Sequence, residues 1–321
     1  MDLDIHSDDA DTAEALAADV RAGFGAAQKT LPPRWLYDAR GSELFERITA
    51  LEEYYPTAAE REILDREAKE IAATSAAHTL VELGSGSSEK TRLLLDALGA
   101  RGTLRSFVPL DVSESALAAA TRVISVDYPE LEVRGVVGDF TEHLELLPGE
   151  RPRLVAFLGG TLGNLLPAQR HAFLCSVRQV LTGGEWLLLG TDLVKDPRTL
   201  VRAYDDAAGV TAEFNRNVLR VLNERLGADF DPMAFEHVAH WDADAEWIEM
   251  RLRARTAMSV AIPGADLRVE FAAGEYLRTE TSAKFRPEGV RAELSAAGFA
   301  LERWWTDEQA RFGVSLARAV D

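Results

Sequence analysis

Residues 58–194 alternate short apolar runs with amphipathic stretches. The run AAEREILDREAKEIAATSAAH at 58–78 places apolar residues at helical spacing and predicts a helix. HTLVELG then predicts a strand, SSEKTRLLLDAL a helix, LRSFVPLDVS a strand and ESALAAATRVISVDY a helix. LEVRGVVGDF and RLVAFLGGTLGN predict two more strands, the second running into a glycine-rich loop. PAQRHAFLCSVRQVL predicts a helix that opens on Pro167 and stops before Gly183-Gly184. EWLLLGTDL predicts another strand. Short apolar strands separated by helices imply an α/β fold: a doubly wound, mostly parallel sheet with helices on both faces.

The rhythm breaks after Asp196. RTLVRAYDDAAGVTAEFNRNVLRVLNERL is expected to be helical. WIEMRLRARTAMSV alternates, placing Ile248, Met250, Leu252 and Ala254 on one strand face and Trp247, Glu249, Arg251 and Arg253 on the other. LRVEFAAGEYLRTETSAKF continues as strand, RPEGVRAELSAAGF predicts a helix, and ALERWWTD with RFGVSLARA predicts a terminal strand pair. Residues 195–284 therefore read as an insertion into the α/β domain, which is expected to comprise 58–194 and 285–321. Residues 11–57 carry Trp35, Tyr37, Phe45, Tyr54 and Tyr55, broken up by prolines and Gly41. With 195–284 they are expected to form a second, α+β domain that binds the substrate. Residues 1–10 are expected to be a mobile acidic tail.

Composition narrows the partners. The net charge is −18, and seven acidic residues without Lys or Arg fall in the first 20 positions. Such a surface repels polyanions, so neither nucleic acid nor a membrane surface is an expected partner. The acidic start is unlike a secretory or mitochondrial leader, and no apolar run reaches the ~20 residues that span a bilayer. A cytoplasmic protein acting as a monomer is expected. The single cysteine, Cys175, excludes an internal disulfide and is expected to be a small buried apolar residue.

The candidate chemistry starts at VELGSGSSEKT, where Gly84-Ser85-Gly86 turn a strand into a helix. A dinucleotide fingerprint needs a third glycine, and a P-loop a second, where this chain has Glu89. S-adenosylmethionine is the third reading. One Gly-x-Gly suffices for it, and its carboxylate could sit by the helix N-terminus and Lys90. Asp111 ends the next strand, where an acid can accept ribose hydroxyls. Asp139-Phe140 ends the one after, where an acid can accept an adenine amine and a ring can pack on the base. On the acceptor side GGTLGN ends in Asn164, whose amide both donates and accepts. No Asn-Pro-Pro-Tyr run is present, which argues against nucleobase or amide nitrogens as acceptors. EHVAH holds His237 and His240 at i, i+3 without a third ligand pattern, so a helix-surface or core role is expected and no metal.

LPPRWLYDARGSELFERIT, EYYPT, LVELGSGSSEKTR, FLGGTLGN, LLLGTDLVKD, RAYDDAAGVTAEFNRN and KFRP, with the Asp111 and Gly-Asp-Phe strand ends, cover nearly the whole chain. Together they resemble the histidine Nα-methyltransferases of ergothioneine biosynthesis, which form hercynine. Gly160-Thr161-Leu162 and Ala283 depart from residues more frequent in that family, and neither change removes a polar recognition group. The resemblance implies a Rossmann-like S-adenosylmethionine methyltransferase domain with L-histidine as substrate. It implies that Gly84, Ser85, Gly86, Lys90, Asp111, Asp139 and Phe140 bind the methyl donor. Asn164 and Tyr204 would hold the amino-acid end of histidine, and Tyr54, Glu280 and Ser282 the imidazole. Tyr37 and Gly159 would lie near the amine, with Phe45 and Met250 lining the pocket. Tyr37 and Asn164 are the catalytic candidates.

Those residue types suit the chemistry. Glu280 and Ser282 are two apart on a strand-like run and share a face. A carboxylate plus a hydroxyl matches an imidazole, whereas an apolar substrate would leave Glu280 unpaired. Two alternatives stay open: an N-methyltransferase for another amino acid of the tryptophan type, and a non-catalytic S-adenosylmethionine-binding protein.

Overall fold

The computed structural model describes residues 2–5, 9–86, 88, 90–140, 144 and 147–321. Its elements begin with β1 (Asp2–Ile5), α1 (Asp9–Phe24), β2 (Lys29–Thr30), α2 (Ala39–Thr49), α3 (Tyr55–Ser75) and β3 (Thr79–Leu83). Then come α4 (Thr91–Arg101), β4 (Ser106–Asp111), α5 (Glu114–Asp127), β5 (Glu132–Val137), β6 (Arg153–Phe157), α6 (Pro167–Val180) and β7 (Trp186–Asp192). The inserted region holds α7 (Pro197–Tyr204), α8 (Val210–Leu226), β8 (Phe235–Asp242), β9 (Trp247–Ala254), β10 (Met258–Ile262), β11 (Leu267–Phe271) and β12 (Tyr276–Ala283). Last are α9 (Pro287–Ala296), β13 (Phe299–Thr306) and β14 (Phe312–Ala319). Two compact units result: Met1–His6 with Pro56–Val194 and Ala283–Asp321, and Ser7–Tyr55 with Lys195–Ser282.

In the first unit the described residues form an eight-stranded sheet in the order β1-β5-β4-β3-β6-β7-β14-β13. The first six of these strands pair in parallel, and β14 is antiparallel to both β7 and β13. Every residue of β3, β6 and β7 is buried, as a sheet covered on both faces requires. Leu80, Leu94, Phe107, Leu154, Leu188 and Phe312 belong to one core. The chain runs from β3 outward to β4 and β5, then returns to β6 on the other side of β3. The carboxyl ends of β3 and β6 therefore flank the switch point at which doubly wound, Rossmann-like sheets bind ligands.

The second unit contains a four-stranded sheet, β2-β12-β9-β8, and the β10-β11 hairpin. Its core includes Leu36, Phe214, Val218, Leu222, Phe235, Ile248, Leu252 and Leu277. On β9 the expected apolar face is buried, and so is Glu249 on the opposite face. Glu249 accepts from Trp247 Nε1 at 3.1 Å and Arg278 Nη1 at 3.0 Å and pairs with Arg251 Nε at 2.6 Å, which satisfies its charge. Among the described residues, no helix is long and apolar enough to cross a membrane.

Several expectations need correction. Asp2–Ile5, expected in a mobile tail, pairs with β5 in parallel from Asp2 opposite Arg134 to Ile5 opposite Val137. The expected helical run after Asp196 is two helices. Gly209 takes a left-handed φ of 74°, and the Asp206 carboxylate accepts the Val210 and Thr211 N–H groups at 3.0 and 2.7 Å, starting α8 afresh. EHVAH lies on strand β8, so His237 and His240 face opposite ways, the first buried and the second exposed. Cys175 is only half-buried, with its Sγ 3.7 Å from His171 Nε2. Glu89, His6 and His143 lie outside the described residues.

Candidate functional site

The glycine loop leaves β3 through Gly84 and Gly86, with φ of 69° and 49°. Gly84 is needed for that backbone angle and not for space, since a Cβ there would meet nothing within 4 Å. The N–H groups of Gly84 and Ser85 donate to the Leu110 carbonyl at 2.8 and 3.2 Å, folding the loop onto the end of β4. Asp111 completes the join: its Oδ2 accepts the Gly86 N–H and its Oδ1 the Ser113 N–H, both at 2.9 Å. Burial pushes the Asp111 carboxyl up from its ordinary value, against the pull of the Gly86, Ser113 and Val112 backbone donors. Ser85 Oγ is buried with no partner among the described residues. Asp139 is half-buried, and the Phe140 ring packs against Phe157 and Phe173 at 5.0 and 5.5 Å between centroids.

Two buried carboxylates in this unit escape a reading by motif. Glu82 interrupts the apolar run of β3, accepting from Ser88 Oγ at 3.1 Å and from Thr91 Oγ1. Burial pushes its pKa from 4.5 to about 7, against those hydroxyls and the Lys90 charge. Because the folded state holds a proton that the unfolded chain has released, stability falls as pH rises from about 4.5 to about 7 and is then level. The shift corresponds to about 3 kcal/mol. Glu82→Gln, uncharged throughout, is expected to melt several degrees above the parent at pH 8 and within a degree or two at pH 5. Thermal unfolding at both values checks this, and a difference independent of pH refutes it.

Glu60 on α3 is fully buried. Both its oxygens accept the Gly159 N–H, at 2.9 and 3.0 Å, and its Oε2 pairs with Lys90 Nζ, so the lysine that follows the glycine loop already has an anionic partner. The signal was available, because Glu60 falls on the helical stripe of Ala59, Ile63 and Leu64, a place for an apolar residue. Gly159 and Gly160, with φ of 76° and 72°, turn the chain into the single 3-10 turn Thr161–Asn164, which presents a half-buried Asn164.

In the second unit the predicted acceptor residues cluster. Tyr37 packs edge-on to Phe45 at 5.5 Å, Phe45 to Tyr54 at 6.1 Å, and Tyr54 to Tyr204 at 6.1 Å. Tyr204 Oη and Ser282 Oγ share a hydrogen bond of 2.8 Å. Glu280 and Ser282 are both buried on β12, and the Met250 carbonyl accepts from Thr279 Oγ1 at 3.0 Å beside them. Phe214, missed by motif, packs on both Tyr37 and Phe45, at 5.5 and 6.0 Å.

His237 was also missed as a support for this cluster. Its Nε2–H donates to the Tyr204 carbonyl at 2.7 Å, and its Nδ1 accepts from Asn215 Nδ2 at 2.9 Å. Asn215 Oδ1 in turn accepts from Thr279 Oγ1 at 2.5 Å, the residue before Glu280. Burial holds His237 below its ordinary pKa, against the Tyr204 carbonyl and Asp205, which suits a neutral ring with a fixed tautomer. His237→Leu removes two hydrogen bonds of this buried network, to the Asn215 amide and to the Tyr204 carbonyl, at a cost of about 3 kcal/mol. Urea unfolding measures this, and an unchanged midpoint would show that the network contributes nothing. Among the described residues, no group of three or more His, Cys, Asp or Glu is placed to hold a metal.

Comparison with known proteins adds a separate line. A family model described as histidine-specific, S-adenosylmethionine-dependent methyltransferase matches residues 16–319. A histidine N-alpha-methyltransferase of Mycolicibacterium smegmatis is 58% identical over 305 residues, 95% of each chain. One from Mycobacterium tuberculosis is 56% identical over 303 residues, 94% of each chain. An ergothioneine biosynthesis protein 1 of Neurospora crassa is 34% identical over 204 residues, which is 62% of this chain and 23% of that longer protein.

Proposed function

The chain belongs to the histidine-specific, S-adenosylmethionine-dependent methyltransferases, and from that premise we propose that it trimethylates the α-amino group of L-histidine, forming hercynine for ergothioneine biosynthesis. The observation that carries this reading is identity of 56–58% across nearly the whole chain with two histidine N-alpha-methyltransferases. The enzyme is read as cytoplasmic and monomeric, with a small molecule as its substrate and no nucleic-acid or membrane partner.

The first unit is the cofactor domain in this reading. Two observations support the fit: the orphaned Ser85 Oγ and the open space over Gly84, where a ligand can approach the backbone. When bound, S-adenosylmethionine supplies a methyl group on a sulfonium, an electrophile that needs no metal. Asp111 keeps unused lone pairs on both oxygens for the ribose hydroxyls. Asp139 and Phe140 serve the adenine, and Lys90 with the Gly84-Ser85-Gly86 backbone serves the amino-acid end.

The histidine side follows the same logic. Of the first unit, the Asn164 amide and Gly159 are read as contacts of the amino-acid end. Of the second, Tyr204 is read as a contact of the amino-acid end, Tyr54, Glu280 and Ser282 as contacts of the imidazole, and Phe45 with Met250 as an apolar wall. The nucleophile is the neutral amine, which a free α-amino group with a pKa of ~8 supplies only in part at neutral pH. Tyr37 Oη accepts a hydrogen bond from that amine and passes its proton toward solvent. A donor held by these residues would supply its methyl group to the amine nitrogen, and each of the first two transfers would leave a further N–H to lose. With no strong base required, alignment and exclusion of water supply most of the acceleration.

Mass spectrometry tests the reading. Histidine incubated with the protein and S-adenosylmethionine should gain one, two and then three methyl groups. Methylation of tryptophan instead, or of no amino acid, overturns it.

A further inference from the structure

We infer that Glu60 is a positioning residue of this reaction, joining the lysine of the cofactor loop to the backbone turn that carries Asn164. The inference rests on the reading of Lys90 and Asn164 as cofactor and substrate contacts. Within the first unit Glu60 bridges segments distant in sequence: α3, the N-terminal end of α4 at Lys90, and the turn after β6 at Gly159. Its side chain is 0% exposed and that of Lys90 is 22% exposed, so the lysine is partly open to solvent while its ammonium is held by Glu60. An ammonium has three donors, and the Glu60 contact leaves others for a ligand carboxylate.

The protein makes room for this carboxylate. A Cβ on Gly190 of β7 would lie 2.0 Å from Glu60 Oε1. Gly190 is not among the residues with positive φ, so its lack of a side chain serves space and not backbone angle. A buried carboxylate is costly unless charged and polar donors satisfy it. Here one donor is a lysine assigned to the cofactor, and the other is the amide that begins the turn to Asn164. Glu60 therefore fixes both at once. Removing its charge loosens the lysine and leaves the Gly159 N–H with a weaker partner.

The two arms separate experimentally. Glu60→Gln keeps the shape and loses the ion pair. Its affinity for S-adenosylhomocysteine, by titration calorimetry, is expected to fall about tenfold, and kcat/KM for histidine about 30-fold, the size of a lost charged hydrogen bond. Its melting temperature should stay within a few degrees of the parent. In a Lys90→Met background, Glu60→Gln should no longer change cofactor affinity, yet should still lower kcat through Gly159. A merely structural Glu60 would lower the melting temperature and leave kcat per folded molecule and both affinities unchanged, which overturns the inference. An equal effect of Glu60→Gln on cofactor affinity with and without Lys90 removes the lysine arm. If Glu60→Gln does not fold, Gly190→Ala, which displaces the carboxylate without deleting it, takes its place, and parental kinetics in that variant overturn the inference. If the parent methylates no amino acid, the proposed function fails, while calorimetry still decides the Lys90 arm.

Discussion

Glu280→Ala is expected to lower kcat/KM for histidine about 100-fold while leaving the affinity for S-adenosylhomocysteine unchanged. Glu280 is 7% exposed and sits on β12 two residues before Ser282, whose hydroxyl is bonded to Tyr204 Oη. In the proposed reading this carboxylate meets an imidazole N–H as a charge-assisted bond in a dry surround. Losing that bond, and stranding the substrate N–H, costs about 3 kcal/mol, which is the 100-fold. Glu280→Gln keeps an acceptor without the charge and should fall between the two. The alanine variant should also lose its preference for histidine over phenylalanine, because a site built around a hydrogen bond rejects analogues that cannot make it. Steady-state kinetics with both amino acids measure this, and a kcat/KM within fivefold of the parent would remove Glu280 from the imidazole site.

Asp111→Asn is expected to weaken cofactor binding by about 100-fold. One carboxylate joins the loops after β3 and β4 through the Gly86 and Ser113 N–H groups. The asparagine amide turns an –NH₂ toward one of these donors, which opens the loop, and it lacks the charge that, in the proposed reading, strengthens bonds to two ribose hydroxyls. Together these cost about 3 kcal/mol or more. Calorimetric titration with S-adenosylhomocysteine reads the effect, and a Kd within threefold of the parent would place the ribose elsewhere. The aromatic cluster proposed for the imidazole belongs to the other unit, so Glu280→Ala and Asp111→Asn should move different binding constants.

The α/β half was legible because its signals are local. A buried parallel strand reads as an apolar run, and a glycine loop with an acid at the next strand end needs only the segments around it. The helix start at Pro167 and the terminal strand pair came from the same short-range chemistry. The inserted half was less legible. EHVAH, expected on a helix surface or in the core, is strand β8, paired with β9 along its whole length, with His237 in the core. That pairing is a long-range fact, and strand propensity follows context more than residue type.

The candidate site divides the same way. Tyr37, Tyr54, Tyr204, Glu280 and Ser282 came from resemblance and not from any pattern that singles them out, because isolated tyrosines and a strand acid usually have ordinary roles. The structure brings Tyr37, Tyr54, Tyr204 and Ser282 together through ring contacts and one hydrogen bond. It also adds Phe214 and His237, whose contribution lies entirely in what they touch.

By itself, the sequence determined the doubly wound sheet, the position of the glycine loop and the acids at the ends of β4 and β5, since each follows from hydrophobic period and turn chemistry. Only the tertiary structure decided that Lys90 is paired with Glu60, that Asp111 ties two loops together, and that Asp2–Ile5 extends the sheet. The reason is physical: a buried charge must find its partner wherever the fold brings one within reach. That partner is set by packing among segments tens of residues apart, which no local period encodes.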